Sequence, residues 1–109
     1  MADSNHRFFD MHTQGFVRVA TSTPCSRTAD VAYNTAGVIS EAKRAHEGHV
    51  DLLVYPELTL SSYAIDDLHL QAALLDRVER GVAEVVEASK DVPPVLVIGA
   101  PLRRNGKIY

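Results

Sequence analysis

Two rhythms of apolar and polar residues run along this chain. One is a set of short apolar runs: Phe16-Val17-Arg18-Val19-Ala20-Thr21-Ser22, then Val50-Asp51-Leu52-Leu53-Val54-Tyr55, then Val95-Leu96-Val97-Ile98-Gly99. These read as three strands. Val50, Val54 and Tyr55 have side chains suited to a pleated surface. The third run is continuous, like strands buried on both faces of a parallel sheet. The other rhythm is helical. Val31, Val38, Ala42 and Ala45 form one stripe with Ile39 alongside, which predicts a helix over about residues 31–46, capped by Asp30 and stopped by Gly48. Leu70, Leu74, Leu75, Val78, Val82, Val85 and Val86 predict a longer helix over roughly residues 68–90. Asp66 and Asp67 are its expected caps, and Asp91-Val92-Pro93-Pro94 ends it.

The connecting segments complete the order. Residues 1–14 read as an irregular arm, 23–28 as a loop, and 58–65 as a polar and aromatic loop. Arg104-Asn105-Gly106-Lys107 is a tight-turn signal, because Asn-Gly readily takes positive φ. It should reverse the chain into a fourth strand near Lys107. The pattern is β-α-β-α-β followed by the start of a hairpin, an α/β arrangement. A fourth strand barely begun at Tyr109 leaves a pairing edge open. Residues 15–109 are therefore expected to be the first portion of a larger domain, incomplete at its C-terminal end.

Composition narrows the function classes. The chain has 109 residues, 46% apolar and 23% charged, as in ordinary globular proteins. A net charge of −3 with no basic stripe argues against a nucleic-acid surface, and the pair Arg103-Arg104 reads as part of a solvated turn. Cys25 is the single cysteine, so no disulfide framework exists and a reducing, cytoplasmic setting is expected. No signal-peptide core is present, and no run approaches the roughly 20 apolar residues that span a membrane.

The main candidate for chemistry is Glu57. The second strand should end at Pro56, which has no amide hydrogen for a ladder. Ligands in open α/β sheets bind in the crevice outside the carboxyl ends of strands, and Glu57 would stand at that edge, half out of water, placed to act as a base. On position alone, a carboxylate there is more often a helix cap or a surface charge. Cys25 follows Pro24 in a loop at the same sheet edge, but only Arg27 is near in sequence to activate it; a free loop thiol is expected. His46 and His49 are three apart at a helix end, yet no third ligand completes a metal site. The glycines form no phosphate-binding loop.

Tyr55-Pro56-Glu57-Leu58-Thr59-Leu60-Ser61-Ser62-Tyr63 resembles the segment around the catalytic glutamate of the nitrilase superfamily of carbon–nitrogen hydrolases. Four further blocks are similar to one branch of it, the glutaminase domains of bacterial glutamine-dependent NAD synthetases. They are Gly15-Phe16-Val17-Arg18-Val19-Ala20, Ile65-Asp66-Asp67-Leu68 with Leu70-Gln71, Leu74-Leu75-Asp76, and Pro94 through Arg103. The resemblance implies a four-layer α-β-β-α sandwich, of which this chain supplies the first part. It implies a Glu–Lys–Cys triad in which Glu57 is the glutamate, with the lysine and the cysteine beyond Tyr109, so that these residues alone would be inactive. It also implies glutamine as substrate, with Tyr63 lining its pocket or packing as an aromatic, and a homo-oligomer. ATP, Mg2+ and deamido-NAD would be handled by a second domain absent here, and no cofactor is implied for this segment. Ser62 departs from the glycine common before that tyrosine; if the backbone there needs positive φ, serine bears about 1–3 kcal/mol of strain. A stand-alone nitrilase-type amidase and a non-enzymatic α/β partner-binding module are the alternatives.

Overall fold

A computed structural model describes residues 8–109 of the chain. The first part of the expected arm, residues 1–7, lies outside the described residues. Phe8 to Gly15 runs through turns closed by Gln14 N–H to Met11 O and Gly15 N–H to His12 O.

Three parallel strands follow the order β1 (Val19–Thr21), β2 (Leu52–Val54), β3 (Val95–Val97), with β2 in the centre. Val19, Leu52 and Val95 share one row, Ala20, Leu53 and Leu96 the next, and Thr21, Val54 and Val97 the third. The regular ladders are shorter than the apolar runs, because only these residues have partners in register. Helix α1 (Val31–Glu47) connects β1 to β2, and helix α2 (Ala72–Ser89) connects β2 to β3. A second pair, β4 (Arg103–Arg104) and β5 (Lys107–Ile108), is antiparallel across Asn105 and Gly106, both at positive φ. This is the hairpin expected of Asn-Gly. Arg103 and Arg104 are strand residues rather than turn residues, and Arg103 pairs with Asp76 at 2.7 Å.

The apolar stripes become the core. Val31, Val38 and Ala45 of α1 and Val78 and Val85 of α2 cluster with Leu53, Tyr55 and Leu60, and Ala20 and Leu96 pack against them. The two helices therefore cover the sheet face that carries the Ala20–Leu53–Leu96 row. Among the described residues no element covers the opposite face: Val19, Val95 and Val97 are exposed there, and Leu52 and Val54 between them are half-buried. The third strand is thus covered on one face, where its unbroken apolar run suggested two.

Asp30 caps α1 as expected, its side chain accepting from Tyr33 N–H at 3.1 Å. The second helix differs from expectation. Residues Asp66–Leu70 form a 3-10 turn, Gln71 is extended, and α2 begins only at Ala72 without a side-chain cap. Asp66 and Asp67 thus lie in the first turn of the short helix, and Leu70 and Val86 of the expected stripe are exposed.

Candidate active site

The turn after β2 is built from both sides. Tyr55 continues the ladder by donating its N–H to Val97 O at 2.9 Å, and its buried hydroxyl donates to Val38 O at 2.7 Å. Burial, with a smaller contribution from the Glu41 carboxylate, pushes the Tyr55 hydroxyl up to about 12. Pro56 ends the strand, and its carbonyl accepts a short hydrogen bond from the Thr59 hydroxyl. Beyond it, Leu60 and Ser61 are fully buried and act as anchors. Ser61 N–H donates to Leu58 O at 3.2 Å, which closes the turn. Between these anchors Glu57 projects from the carboxyl end of β2, as expected, but it is exposed rather than half-buried.

Glu57 lines a shallow cavity of about 100 Å³ with Pro24, Ser26, Leu58, Ser62 and Tyr63. The β1–α1 loop that carries Cys25 thus forms one wall, and Cys25 itself is exposed. Tyr63, 73% exposed, also borders a wider hollow of about 350 Å³ with Ile65, Pro101, Ile108 and Tyr109. Both Leu58 and Ser62 hold positive φ, at 55° and 68°. The strain anticipated for serine at 62 is therefore present.

Two contributors to this turn escaped the sequence reading. Gly99 lies against it so closely that a Cβ there would stand 2.5 Å from Pro56 O and 2.7 Å from Glu57 Cα. Asn34, 2% exposed, bonds to the backbone of both Arg27 and Leu60. A signal for Asn34 did exist, since it falls on the buried stripe between Val31 and Val38, where a polar residue needs internal partners. His46 and His49 are exposed, and among the described residues no group of three or more His, Cys, Asp or Glu is gathered to hold a metal. No helix among them is long and apolar enough to cross a membrane.

No protein-family model matches the chain. Curated proteins do. It is 48% identical over 102 residues to a glutamine-dependent NAD(+) synthetase of Mycobacterium leprae and 46% identical over 102 residues to that of Mycobacterium tuberculosis. Each match covers 94% of this chain. This chain is homologous to a segment of the glutamine-dependent NAD(+) synthetases. A more distant synthetase, of Xylella fastidiosa, is 27% identical over 95 residues. The chain spans 15% of the length of the mycobacterial relatives. The crystal structure of a glutamine-dependent NAD(+) synthetase from Cytophaga hutchinsonii superposes with a TM-score of 0.73 at 21% identity, over 85% of this chain and 16% of that one. The α/β fold expected from the apolar pattern is thus shared with a segment of a solved synthetase.

Proposed function

We propose that this chain is the Glu57-bearing first portion, residues 15–109, of a nitrilase-type α-β-β-α glutaminase domain. That domain would release ammonia from glutamine for the ATP-dependent conversion of deamido-NAD to NAD. The observation that carries this reading is the 48% identity to a synthetase over a segment that contains the Glu57 turn. A carboxylate held at the carboxyl end of a central strand, on a turn with buried anchors on both sides, suits a general base.

In this reading Glu57 accepts the proton of a cysteine thiol, since a thiol near pKa 8.5 needs a base to attack at neutral pH. The thiolate adds to the glutamine amide carbon, and a lysine stabilises the resulting oxyanion. Glu57 returns the proton to the leaving nitrogen as ammonia departs, which leaves a γ-glutamyl thioester. Glu57 then deprotonates the water that hydrolyses the thioester to glutamate. The thiol and the lysine come from outside these 109 residues, so the chain by itself is expected to be inactive toward glutamine. Tyr63, exposed beside Glu57, is the candidate to line the glutamine pocket.

In this reading ATP and Mg2+ would serve activation of deamido-NAD in a second domain; among the described residues no group of three or more His, Cys, Asp or Glu is gathered for the metal. A cytoplasmic homo-oligomer is the assembly that fits this reading. The test is ammonia release from glutamine by the protein that carries this segment. Glu57→Gln should lower kcat by about 10²–10⁴, the usual contribution of a general base. Retention of wild-type turnover by that variant would sink the proposal.

A further inference from the structure

We propose that Asn34 is the positioning residue that ties the Glu57 turn to the β1–α1 loop and so fixes both walls of the cavity. Asn34 stands in the second turn of α1 and is 2% exposed. Its Oδ1 accepts the Arg27 N–H at 2.7 Å; its Nδ2 donates to Arg27 O at 2.8 Å and to Leu60 O at 3.0 Å. Only this amide orientation satisfies one N–H and two carbonyls at once. A carboxylate could not substitute, because it has no hydrogen to offer the two carbonyl oxygens.

The tie is reinforced beside it and opposed from behind. Ala29 N–H donates to Ser61 O at 2.9 Å, which makes a second strap between the same two loops. Leu60 N–H donates to Gly99 O at 3.3 Å. Leu60 is therefore held through its carbonyl by α1 and through its N–H by the residues after β3. Glu57 lies three residues before that fixed point, and Pro24 and Ser26 lie just before Arg27, across the cavity. An asparagine spent inside a helix costs helix propensity relative to alanine. Its hydrogen bonds here serve loops rather than the helix.

Hydrogen exchange on the protein that carries this segment tests the tie directly. In the wild type, the Asn34 side-chain amide protons should exchange about 100-fold or more slowly relative to those of Asn105, which is exposed in its turn. In Asn34→Ala and Asn34→Asp, the backbone amides of Ala29, Leu60 and Ser61 should exchange faster by about tenfold or more, with the amide of Val85 in α2 much less affected. Equal exchange of the two asparagine side chains, or a uniform acceleration at every amide, would overturn the proposal. The wild-type measurement decides the matter even if the variants do not fold.

The catalytic consequence rests on the function proposed above. In the protein that carries this segment, Asn34→Asp should lower kcat for glutamine by about tenfold or more with a smaller rise in KM, because Glu57 and the cavity wall that includes Tyr63 lose the same fixed point. A change in KM alone would overturn the positioning role. Glu57→Gln, assayed alongside, separates the two ideas: full activity in that variant removes the glutaminase reading, and the exchange pattern still judges the tie.

Discussion

Gly99 and Glu57 are packed back to back, with room between them for a hydrogen and not for a methyl group. A Cβ on residue 99 would lie 2.7 Å from Glu57 Cα and 2.7 Å from Leu58 N. These neighbours are backbone atoms, which cannot swing aside as a flexible side chain can. Gly99→Ala should therefore push the Pro56–Leu58 turn outward and cost about 1–3 kcal/mol, the usual range for overpacking. Urea denaturation gives the cost, and amide chemical shifts of Glu57 and Leu58 give the displacement. Wild-type stability with unshifted resonances would show that the turn has slack.

The helix–helix contact buries the hydroxyl of Thr35. Thr35 is 1% exposed, and its hydroxyl oxygen has no hydrogen-bond partner among the described residues. Thr35→Val keeps the shape and removes the buried polar atom. It should stabilise the chain by about 1 kcal/mol, read as a raised Tm. Gly81→Ala should act in the opposite sense, since its new Cβ would meet that oxygen at 2.8 Å and Val31 Cγ1 at 3.0 Å. A loss of stability in Thr35→Val would reveal a hydrogen bond that the geometry lacks.

Much of this arrangement was legible in the sequence, for reasons that differ by element. Helix α1 was placed to within a residue because its stripe, its Asp30 cap and its Gly48 stop agree with one another. The Asn105-Gly106 turn was legible because few dipeptides accept two successive positive φ values. The start of α2 was not, because Asp66 and Asp67 are equally good opening residues for a short 3-10 turn, and Gln71 gives no local sign of extending. Exposure of β3 on one face was hidden because an apolar run reports what a strand can bury, not what covers it. Glu57 could be located from Pro56 alone. The contacts that hold it, from Asn34 and Gly99, join residues far apart in sequence and leave only a weak local trace.

The arm before β1 should respond to pH. His12 Nε2 lies 2.8 Å from Asp51 Oδ2, and Asp51 also accepts the Arg18 N–H at 2.6 Å. The hydrogen bond to Asp51 raises His12 above its ordinary 6.5. The Arg18 N–H first, and His12 second, hold Asp51 below its ordinary 3.8. The His12 contribution is thus complete below pH 6.5 and is lost as pH rises through its raised value. The Asp51 contribution is complete above pH 3.8 and is lost as pH falls through its lowered value. Docking should be firmest between those two limits. His12 ring resonances followed from pH 4 to 9 should titrate above 6.5, and Asp51→Asn should lower that midpoint while leaving the smaller share that Asp10, 3.3 Å from the other ring nitrogen, contributes. An unshifted His12 would dismiss the contact.

The backbone of Ser62 is held where glycine is favoured. At φ 68° its Cβ crowds the backbone, and Leu58 at φ 55° is in the same region four residues earlier. Relief at Leu58 would sacrifice a side chain that lines both hollows, so Ser62 is the cleaner test. Ser62→Gly removes the strain but frees the unfolded chain, and the two effects oppose each other. The strain of a left-handed non-glycine residue, about 1–3 kcal/mol, exceeds the entropic cost of a glycine, about 0.4–1 kcal/mol. A net gain of up to about 2 kcal/mol is expected by difference, measured as a shifted urea midpoint with an unchanged slope. A lower midpoint would mean that the hydrogen bond from the Ser61 hydroxyl to Ser62 O, at 3.1 Å, and the buried anchors already relieve residue 62 of its strain.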